Sequence, residues 1–273
     1  MQINCKGQLI DLSNPKIMGI LNVTPDSFFE GSRSSELNDS LKKIERMLTD
    51  GADFLDIGGM STRPGAENVS EEEELKRVIP IIEEAVKEFP DIIISIDTYR
   101  SKVGKEAVEA GASIINDISA GNLDENLLKT VAELKVPYIL MHMKGTPKTM
   151  QKNPVYENVV LEVNQFLAEK INQLKELGIN DIILDPGFGF GKTVEHNYEL
   201  FRNMDLIGFG EFPLLVGISR KSMITRFLGI SAEEALNGTT VLNTLALQKG
   251  AKILRVHDVK EARETLKIWE ELQ

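Results

Sequence analysis

The chain has 273 residues, 42% of them hydrophobic, with a formal net charge of −11 and an isoelectric point near 5.0. This acidic balance argues against a general nucleic-acid binder or a binder of anionic membranes. No segment approaches the ~18 consecutive apolar residues of a membrane span, and the N-terminus has no basic stretch followed by an apolar run. We therefore expect a cytoplasmic protein without nucleic-acid or membrane partners. The single cysteine, Cys5, allows no internal disulfide, and we expect it to be a small buried residue.

Short apolar runs recur along the whole chain, and helix-length segments separate them. A hairpin is expected first, with strands over Met1–Lys6 and Leu9–Leu12 around a turn at Gly7. Eight further strands are predicted at Ile17–Asn22, Phe54–Gly58, Ile92–Asp97, Ile114–Asp117, Tyr138–His142, Ile182–Asp185, Leu214–Gly217 and Ile253–Val256. Parallel strands that are buried on both faces have this continuous apolar pattern. Eight of them with intervening helices predict an α/β fold, a single (β/α)8 TIM barrel domain over residues 1–273, with the hairpin across its floor.

The helices are predicted from apolar spacing and from their capping residues. Ser70 followed by Glu71–Glu74 indicates a helix start, because a hydroxyl cap and acidic residues in the first turn suit a helix N-terminus. Other helices are expected at Ser35–Asp50, from about Val155 to Leu177, from Ser222 to about Leu228, and at Val259–Leu272.

A glycine-rich run, Pro186-Gly-Phe-Gly-Phe-Gly-Lys-Thr193, follows the sixth barrel strand. It does not match a phosphate-binding P-loop, because counting back from Gly191-Lys192-Thr193 puts Pro186 where that motif needs glycine. We expect the glycines to let the backbone approach a flat ligand. After the seventh strand, Ile218-Ser-Arg-Lys-Ser222 offers hydroxyls, cations and free N–H groups, which favour an anion site.

Polar residues concentrate where the predicted strands end, namely at Asn22, Asp56, Asp97, Asn116, Asp185, Lys221, Arg255 and His257. In a barrel these ends meet in one bowl, which is where barrel enzymes carry their chemistry. Buried carboxylates need donors. A ligand rich in N–H groups would supply them, and so would a structural network that pairs Asp97 and Asp185 with Lys221 or Arg255. Cations expected at the same rim favour an anionic small-molecule substrate: Arg63, Lys144, Arg220, Lys221 and Arg255.

Several motifs, in chain order, resemble the dihydropteroate synthase family of bacterial folate biosynthesis. They are Asn22-Val-Thr-Pro-Asp-Ser-Phe28, Asp56-Ile-Gly-Gly-Met-Ser-Thr-Arg-Pro-Gly65, Ser95-Ile-Asp-Thr98, Ile115-Asn-Asp-Ile118, Asp185-Pro-Gly-Phe-Gly-Phe190, Gly217-Ile-Ser-Arg-Lys-Ser222 and Arg255-Val-His257. The first, second and last are specific to that family, whereas Asp-Pro-Gly-Phe-Gly is shared with other pterin-binding barrels. The chain departs at Met60, where the family often has Glu, and at Phe29-Glu30, where Ser-Asp is common.

The resemblance implies a condensation of 6-hydroxymethyl-7,8-dihydropterin diphosphate with para-aminobenzoate, which releases pyrophosphate through a cationic pterin-methylene intermediate. It assigns pterin binding to Asp97, Asn116, Asp185 and Lys221, and catalysis to Asp97, Lys221 and Asp185. It assigns the diphosphate to Asn22, Arg63, Arg255 and His257, with Mg²⁺ on Asn22. It assigns para-aminobenzoate to Phe28, Thr62, Pro64, Phe190 and Ser222. It also implies a homodimer through late helices, and sulfonamides as mimics of para-aminobenzoate.

The Gly and Pro residues of the loops after the first two barrel strands predict that these loops close over the bowl when pyrophosphate and Mg²⁺ bind. The alternatives are a pterin-dependent methyltransferase on the same barrel, a non-catalytic pterin-binding paralogue, and a phosphosugar aldolase with a Schiff-base lysine. The first should lack the motif from Asn22 to Phe28, and the second should have lost loop residues. The aldolase would need a lysine on a strand, whereas Lys221 follows its strand among anion-binding neighbours.

Overall fold

The computed structural model describes residues 1–23, 33–60, 69–147, 149, 150 and 152–273, with residues 33–35 as backbone only. The strands are β1 Gln2–Cys5, β2 Gln8–Asp11, β3 Lys16–Asn22, β4 Phe54–Gly58, β5 Ile94–Asp97, β6 Ile114–Asp117, β7 Tyr138–Met141, β8 Ile182–Asp185, β9 Leu214–Val216 and β10 Ala251–Val256. The helices are α1 Arg33–Thr49, α2 Glu71–Glu88, α3 Ser101–Ala110, α4 Leu127–Leu134, α5 Val159–Glu176, α6 Val194–Arg202, α7 Ser222–Leu228, α8 Leu236–Gln248 and α9 Val259–Glu270.

Strands β3 to β10 form a closed barrel in which β10 pairs with both β3 and β9. The pairings around the barrel are parallel, and a helix lies between successive strands along the chain. The predicted (β/α)8 barrel is therefore confirmed. Strand β4 is buried at every position, as expected when helices cover the outer face and side chains fill the interior.

The hairpin of β1 and β2 covers the floor of the barrel, which is the end where the barrel strands begin. The two strands pair antiparallel around Lys6 and Gly7. The side chains of Ile3, Cys5 and Leu12 pack with inward-facing residues of the barrel strands such as Phe54. Burial, with a smaller contribution from Asp181, raises the pKa of the Cys5 thiol to about 12. The expected hairpin and the expected burial of Cys5 are both confirmed.

Helix boundaries follow the capping residues. Helix α2 begins after Ser70, whose side chain accepts a hydrogen bond from the Glu73 N–H at 3.2 Å, as predicted. The prediction for α5 is wrong at its N-terminal end, since the helix begins at Val159 rather than Val155. The reason is that Asn158 caps it and accepts from the Leu161 N–H at 3.0 Å. Within the described ranges, no helix combines the length and the apolarity needed to cross a bilayer.

Candidate active site

The barrel register brings the predicted polar residues to the open end, opposite the hairpin. Asn22 pairs with Gly58, Gly58 with Asp97, and Asp97 with Asn116, so these positions stand side by side on adjacent strand ends. Asp185 ends β8 and Asp56 lies two residues below the end of β4. Because the other end is covered by the hairpin, this rim is the face on which a ligand can reach these groups.

A network of carboxylates and one guanidinium occupies the bowl. Arg255 donates from Nε to Asp56 Oδ2 at 2.6 Å and from Nη2 to Asp97 Oδ2 at 2.7 Å. Asn116 donates from Nδ2 to the same Asp56 oxygen at 2.9 Å. The structural pairing considered for Asp97 and Arg255 is therefore present, and it extends to Asp56. Among the described residues, the buried Asp56 Oδ1 has no hydrogen-bond partner, so one acceptor is left for water or a ligand.

The pKa values of Asp97 and Arg255 in this network depart from their ordinary values. Burial raises the pKa of Asp97, and the attraction of Arg255 only partly offsets it because the carboxylates of Asp56 and others nearby raise that pKa further. Burial opposes the charge of Arg255, yet Asp56 and Asp97 raise its pKa above the ordinary value. Two carboxylates thus share one guanidinium, and the trio carries one net negative charge when all three groups are ionised. Perturbed groups of this kind in a cleft mark a functional site.

Lys221 and Asp185 form a second charged group beside the network. Lys221 Nζ donates to the Phe188 carbonyl at 2.6 Å and lies 4.7 Å from the centre of the Phe190 ring. Asp185 Oδ1 accepts from the Gly187 N–H at 2.7 Å. Burial raises the pKa of Asp185, with Lys221 opposing the rise, and burial lowers the pKa of Lys221 to about 8. The pair therefore presents an acceptor and a donor on one side of the bowl.

The remaining predicted site residues lie around the rim or outside the described part of the chain. Asn22 ends β3 with an exposed side chain, and Ser222 is the first residue of α7. His257 donates from its backbone N–H to Ser219 Oγ at 3.2 Å, and its Nδ1 lies 3.0 Å from the same oxygen. The other predicted contacts fall outside the described residues: Phe28, Thr62, Arg63 and Pro64.

Two of the cations expected to serve an anionic substrate are instead paired with carboxylates of the protein. Lys144 Nζ donates to Glu162 Oε2 at 2.9 Å. Arg220 makes a two-pronged contact with Asp258, from Nε at 2.9 Å and from Nη2 at 2.7 Å. Both side chains therefore have protein carboxylates as partners in this structure, and their contact with an anionic substrate stays a prediction. Among the described residues, the cations that face the bowl are Lys221 and Arg255.

The glycines after β8 allow the backbone there to lie very close to the backbone that follows β7. Gly187 has a φ of +69°, and a Cβ built on it would lie 1.9 Å from the His142 carbonyl oxygen. Gly191 has a φ of +64°, and its Cβ would lie 2.4 Å from the Lys144 carbonyl oxygen. The expectation that a flat ligand requires these glycines is wrong for both positions, because the residues after β7 already fill the space.

Replacement of Gly187 by alanine tests this close approach. Gly178 is the matched control, since its φ is +80° and nothing lies within 4 Å of its Cβ position. We expect Gly178→Ala to lower the free energy of unfolding by about 1 kcal/mol, the cost of the left-handed backbone. Gly187→Ala adds a clash with a carbonyl and should cost ~3 kcal/mol or more. Urea unfolding midpoints measure both, and equal losses would contradict the steric account.

The structural position of Lys192 does not follow from the sequence, in which it stands at the end of the glycine-rich run after β8. Its side chain is 3% exposed, and Nζ donates to the carbonyls of Gly187 at 2.9 Å and Phe190 at 3.1 Å. Nζ also lies 2.9 Å from His142 Nδ1. Burial lowers the pKa of Lys192 to about 7, and burial together with the Lys192 charge lowers that of His142 to about 2. The only signal in the sequence is a lysine within a glycine run.

A magnesium site built wholly from protein groups is not present among the described residues, since no cluster of three or more His, Cys, Asp or Glu could hold a metal ion there. Asn22 offers one exposed side-chain oxygen at the rim. Mg²⁺ keeps several waters and usually takes one or two protein oxygens together with substrate phosphates. A lone amide oxygen at the rim fits an ion held in this way.

The barrel with its polar bowl is the arrangement of a barrel enzyme, and the family model described as pterin binding enzyme matches residues 18–257. The chain is 45% identical over 272 residues to the dihydropteroate synthase of Escherichia coli strain K12, which covers 99% of the chain and 96% of the relative. Among solved structures, Yersinia pestis dihydropteroate synthase with a sulfonamide drug complex is similar, with a TM-score of 0.93, 43% identity, and coverage of 100% and 99% of the two chains. Xanthomonas albilineans dihydropteroate synthase with 4-aminobenzoic acid gives a TM-score of 0.92 at 41% identity, covering 100% and 98%. The chain belongs to the dihydropteroate synthase family.

Proposed function

We propose that this protein condenses 6-hydroxymethyl-7,8-dihydropterin diphosphate with para-aminobenzoate to give 7,8-dihydropteroate and pyrophosphate, as a step of folate biosynthesis in the cytoplasm. The observation that carries the proposal is the charged bowl, in which two carboxylates share Arg255 beside Asp185 and Lys221. Membership of the dihydropteroate synthase family supports it, as does the Xanthomonas relative with bound 4-aminobenzoic acid.

The pterin ring presents an edge of N–H donors and ring acceptors, and the bowl offers complementary groups. The carboxylate of Asp185 accepts hydrogen bonds, the Lys221 ammonium donates, and the Asn116 amide does both. We assign Asp97 to the pterin as well, because its carboxylate stands next to Asn116 on the adjacent strand end. Asn116 and Asp185 are buried, and Asp97 and Lys221 are partly buried, which strengthens these contacts because the effective dielectric is lower than in water.

Departure of the diphosphate leaves positive charge on the pterin methylene. The trio of Asp56, Asp97 and Arg255 carries one net negative charge when ionised. It therefore stabilises the developing positive charge on the methylene more than the uncharged methylene of the ground state. Asp97 has the main role in our proposal, with Lys221 and Asp185 orienting the ring. A base is not required, because an arylamine is neutral at pH 7 and already nucleophilic.

The negative charge of the leaving diphosphate must be stabilised by groups around it. We assign diphosphate binding to Asn22, Arg63, Arg255 and His257. The imidazole of His257 is oriented by Ser219. Mg²⁺ on the Asn22 side-chain oxygen would supply further positive charge to the diphosphate oxygens. We assign para-aminobenzoate to the Phe190 ring and the Ser222 hydroxyl, together with Phe28, Thr62 and Pro64.

A product assay tests this function against the pterin methyltransferase alternative. The protein is incubated with the pterin diphosphate and ¹⁵N-labelled para-aminobenzoate, and products are identified by mass. We expect 7,8-dihydropteroate that contains the label. A parallel incubation with a methylated tetrahydropterin and a thiol acceptor should give no methyl transfer. Methyl transfer without labelled dihydropteroate would replace our proposal by the alternative.

We also propose a homodimer formed through the late helices. Large apolar side chains are exposed there, including Phe227 at 67% on α7, Val241 at 51% on α8 and Ile268 at 66% on α9. In this proposal these side chains form one apolar patch, which is the kind of surface that marks an interaction site.

Sedimentation at micromolar concentration should therefore show a dimer. Val241→Glu should shift the protein towards monomer, because the buried charge would lack a partner. Leu161→Glu is the control, since Leu161 is equally exposed, at 54%, but lies on α5. A wild-type monomer, or dissociation caused only by Leu161→Glu, would contradict the proposed surface.

A further inference from the structure

We infer that Lys192 is a positioning residue, which fixes the turn at residues 187–190 and thereby holds the Phe190 ring and the Lys221 ammonium in place for the two substrates. This inference rests on the function proposed above. Lys192 itself does not touch the bowl, since its ammonium is directed towards backbone carbonyls behind the turn.

Two lysines hold this turn by donating hydrogen bonds to different backbone carbonyls. Within it, the Phe190 N–H donates to the Gly187 carbonyl at 3.1 Å. Lys192 Nζ donates to the Gly187 and Phe190 carbonyls at 2.9 and 3.1 Å, at the first and last residues of the turn. Lys221 Nζ donates to the Phe188 carbonyl between them at 2.6 Å. A shift of the turn would therefore move both the Phe190 ring and the acceptor that orients Lys221.

Lys192 also ties the turn to the end of β7. Its Nζ lies 2.9 Å from His142 Nδ1, and the His142 backbone N–H donates to the Asp185 carbonyl at 3.1 Å. The His142 ring is neutral, because burial and the Lys192 charge lower its pKa to about 2, so Nδ1 can accept from the ammonium. The ring packs edge-on against Phe166 at a centroid distance of 5.0 Å. The turn is thus fixed to the barrel wall rather than only to itself.

A buried ammonium is a costly way to fill this space. The Lys192 side chain is almost fully buried, and among the described residues its ammonium contacts carbonyls and an imidazole rather than a carboxylate. Burial lowers the pKa of Lys192 despite the attraction of Asp185, so the site disfavours the charged form. A methionine would fill a similar volume without that cost. Residues that break the rules of the core in this way are expected where a site must be held in place.

The test is a double-mutant cycle with Phe190, the side chain through which Lys192 is inferred to act. Lys192→Met, Phe190→Leu and the double variant are compared by kcat and by KM for para-aminobenzoate. Lys192→Met should raise this KM about tenfold, with a smaller change in kcat. In the Phe190→Leu background the same substitution should change KM less than about twofold, because effects at coupled residues do not add.

Lys6→Met is the matched control, since Lys6 Nζ also donates to a backbone carbonyl, that of Val108 at 2.5 Å, near the hairpin end of the molecule. It should leave both kinetic constants unchanged. An unchanged KM in Lys192→Met, or the same rise in both backgrounds, would overturn the inference, because a purely structural role gives independent effects. Lys192→Gln, which keeps donors but not the charge or the length, serves if Lys192→Met does not fold.

A second measurement needs no activity and separates this inference from the proposed function. In protein labelled with ¹⁵N-lysine, the Lys221 ammonium resonance is compared between wild type and Lys192→Gln. It should shift in Lys192→Gln and stay in place in Lys6→Met. An unshifted resonance would overturn the link between the two lysines, whereas absence of product from the wild type would overturn only the function.

Discussion

Asp97→Asn is expected to lower kcat by about 10²- to 10³-fold while the affinity for the pterin diphosphate falls less than about tenfold. The amide keeps the size of the side chain and can still contact the pterin. It removes the charge, however, so that Asp56 and Arg255 are left neutral as a pair. The lost charge matters most when the methylene becomes cationic, and the loss should therefore fall on turnover. Single-turnover rates and equilibrium pterin binding measure the two quantities separately.

Glu162→Gln is the control for Asp97→Asn, because Glu162 is a rim carboxylate paired with Lys144 outside the bowl. Its kcat should remain close to that of the wild type. Equal losses of turnover and pterin affinity in Asp97→Asn would assign Asp97 a purely ground-state role.

The wild-type pH profile gives a further check. A carboxylate with a raised pKa loses its charge as pH falls through that raised value. The loss of kcat on the acidic side of the profile should therefore occur above the ordinary carboxylate pKa of about 4.

Sulfonamide binding is expected to depend on pyrophosphate and Mg²⁺, with affinity rising about 100-fold when both are present. Of the residues assigned to para-aminobenzoate, Phe190 follows β8 and Ser222 begins α7. Thr62 and Pro64 flank Arg63, which is assigned to the diphosphate, and Phe28 belongs to the same motif as Asn22. Binding of the first anion should therefore organise the second site, with the pterin diphosphate bound before para-aminobenzoate.

Calorimetry tests this order with four titrations of one sulfonamide: protein alone, with Mg²⁺, with pyrophosphate, and with both. Strong binding should appear in the fourth titration. Tight binding to the protein alone, unchanged by pyrophosphate, would show that the pocket is preformed. Linkage requires that the sulfonamide tighten pyrophosphate binding by the same factor, which a reverse titration checks.

Much of the fold was predictable because local pattern and tertiary structure agree. Strands such as Ile182–Asp185 are continuous apolar runs ending in a polar residue, and burial on both faces produces that pattern. The rim position of Asp97 and Asn116 followed from the same rule, since strand ends of a parallel barrel meet at one face. The start of α5 was missed because capping by Asn158 outweighed the apolar periodicity.

What could not be predicted depends on contacts between distant parts of the chain. Lys144 and Arg220 were expected to serve a substrate, but only the fold brings their carboxylate partners within reach. The glycines after β8 were read as ligand-contacting because the sequence does not show that His142 lies against Gly187. The same applies to Lys192, whose contact with His142 spans 50 residues of sequence.

Pyrophosphate release with and without para-aminobenzoate tests the central claim most directly, namely that the bowl transfers a pterinylmethyl group to an arylamine. Wild-type protein, the pterin diphosphate and Mg²⁺ are mixed, and pyrophosphate is followed before and after para-aminobenzoate is added. We predict slow release at first, then rapid release with one pyrophosphate per dihydropteroate formed. Glu162→Gln should behave in the same way and Asp97→Asn should not. Release that is equally fast without para-aminobenzoate, with 6-hydroxymethyl-7,8-dihydropterin as the product, would identify a hydrolase and contradict the account.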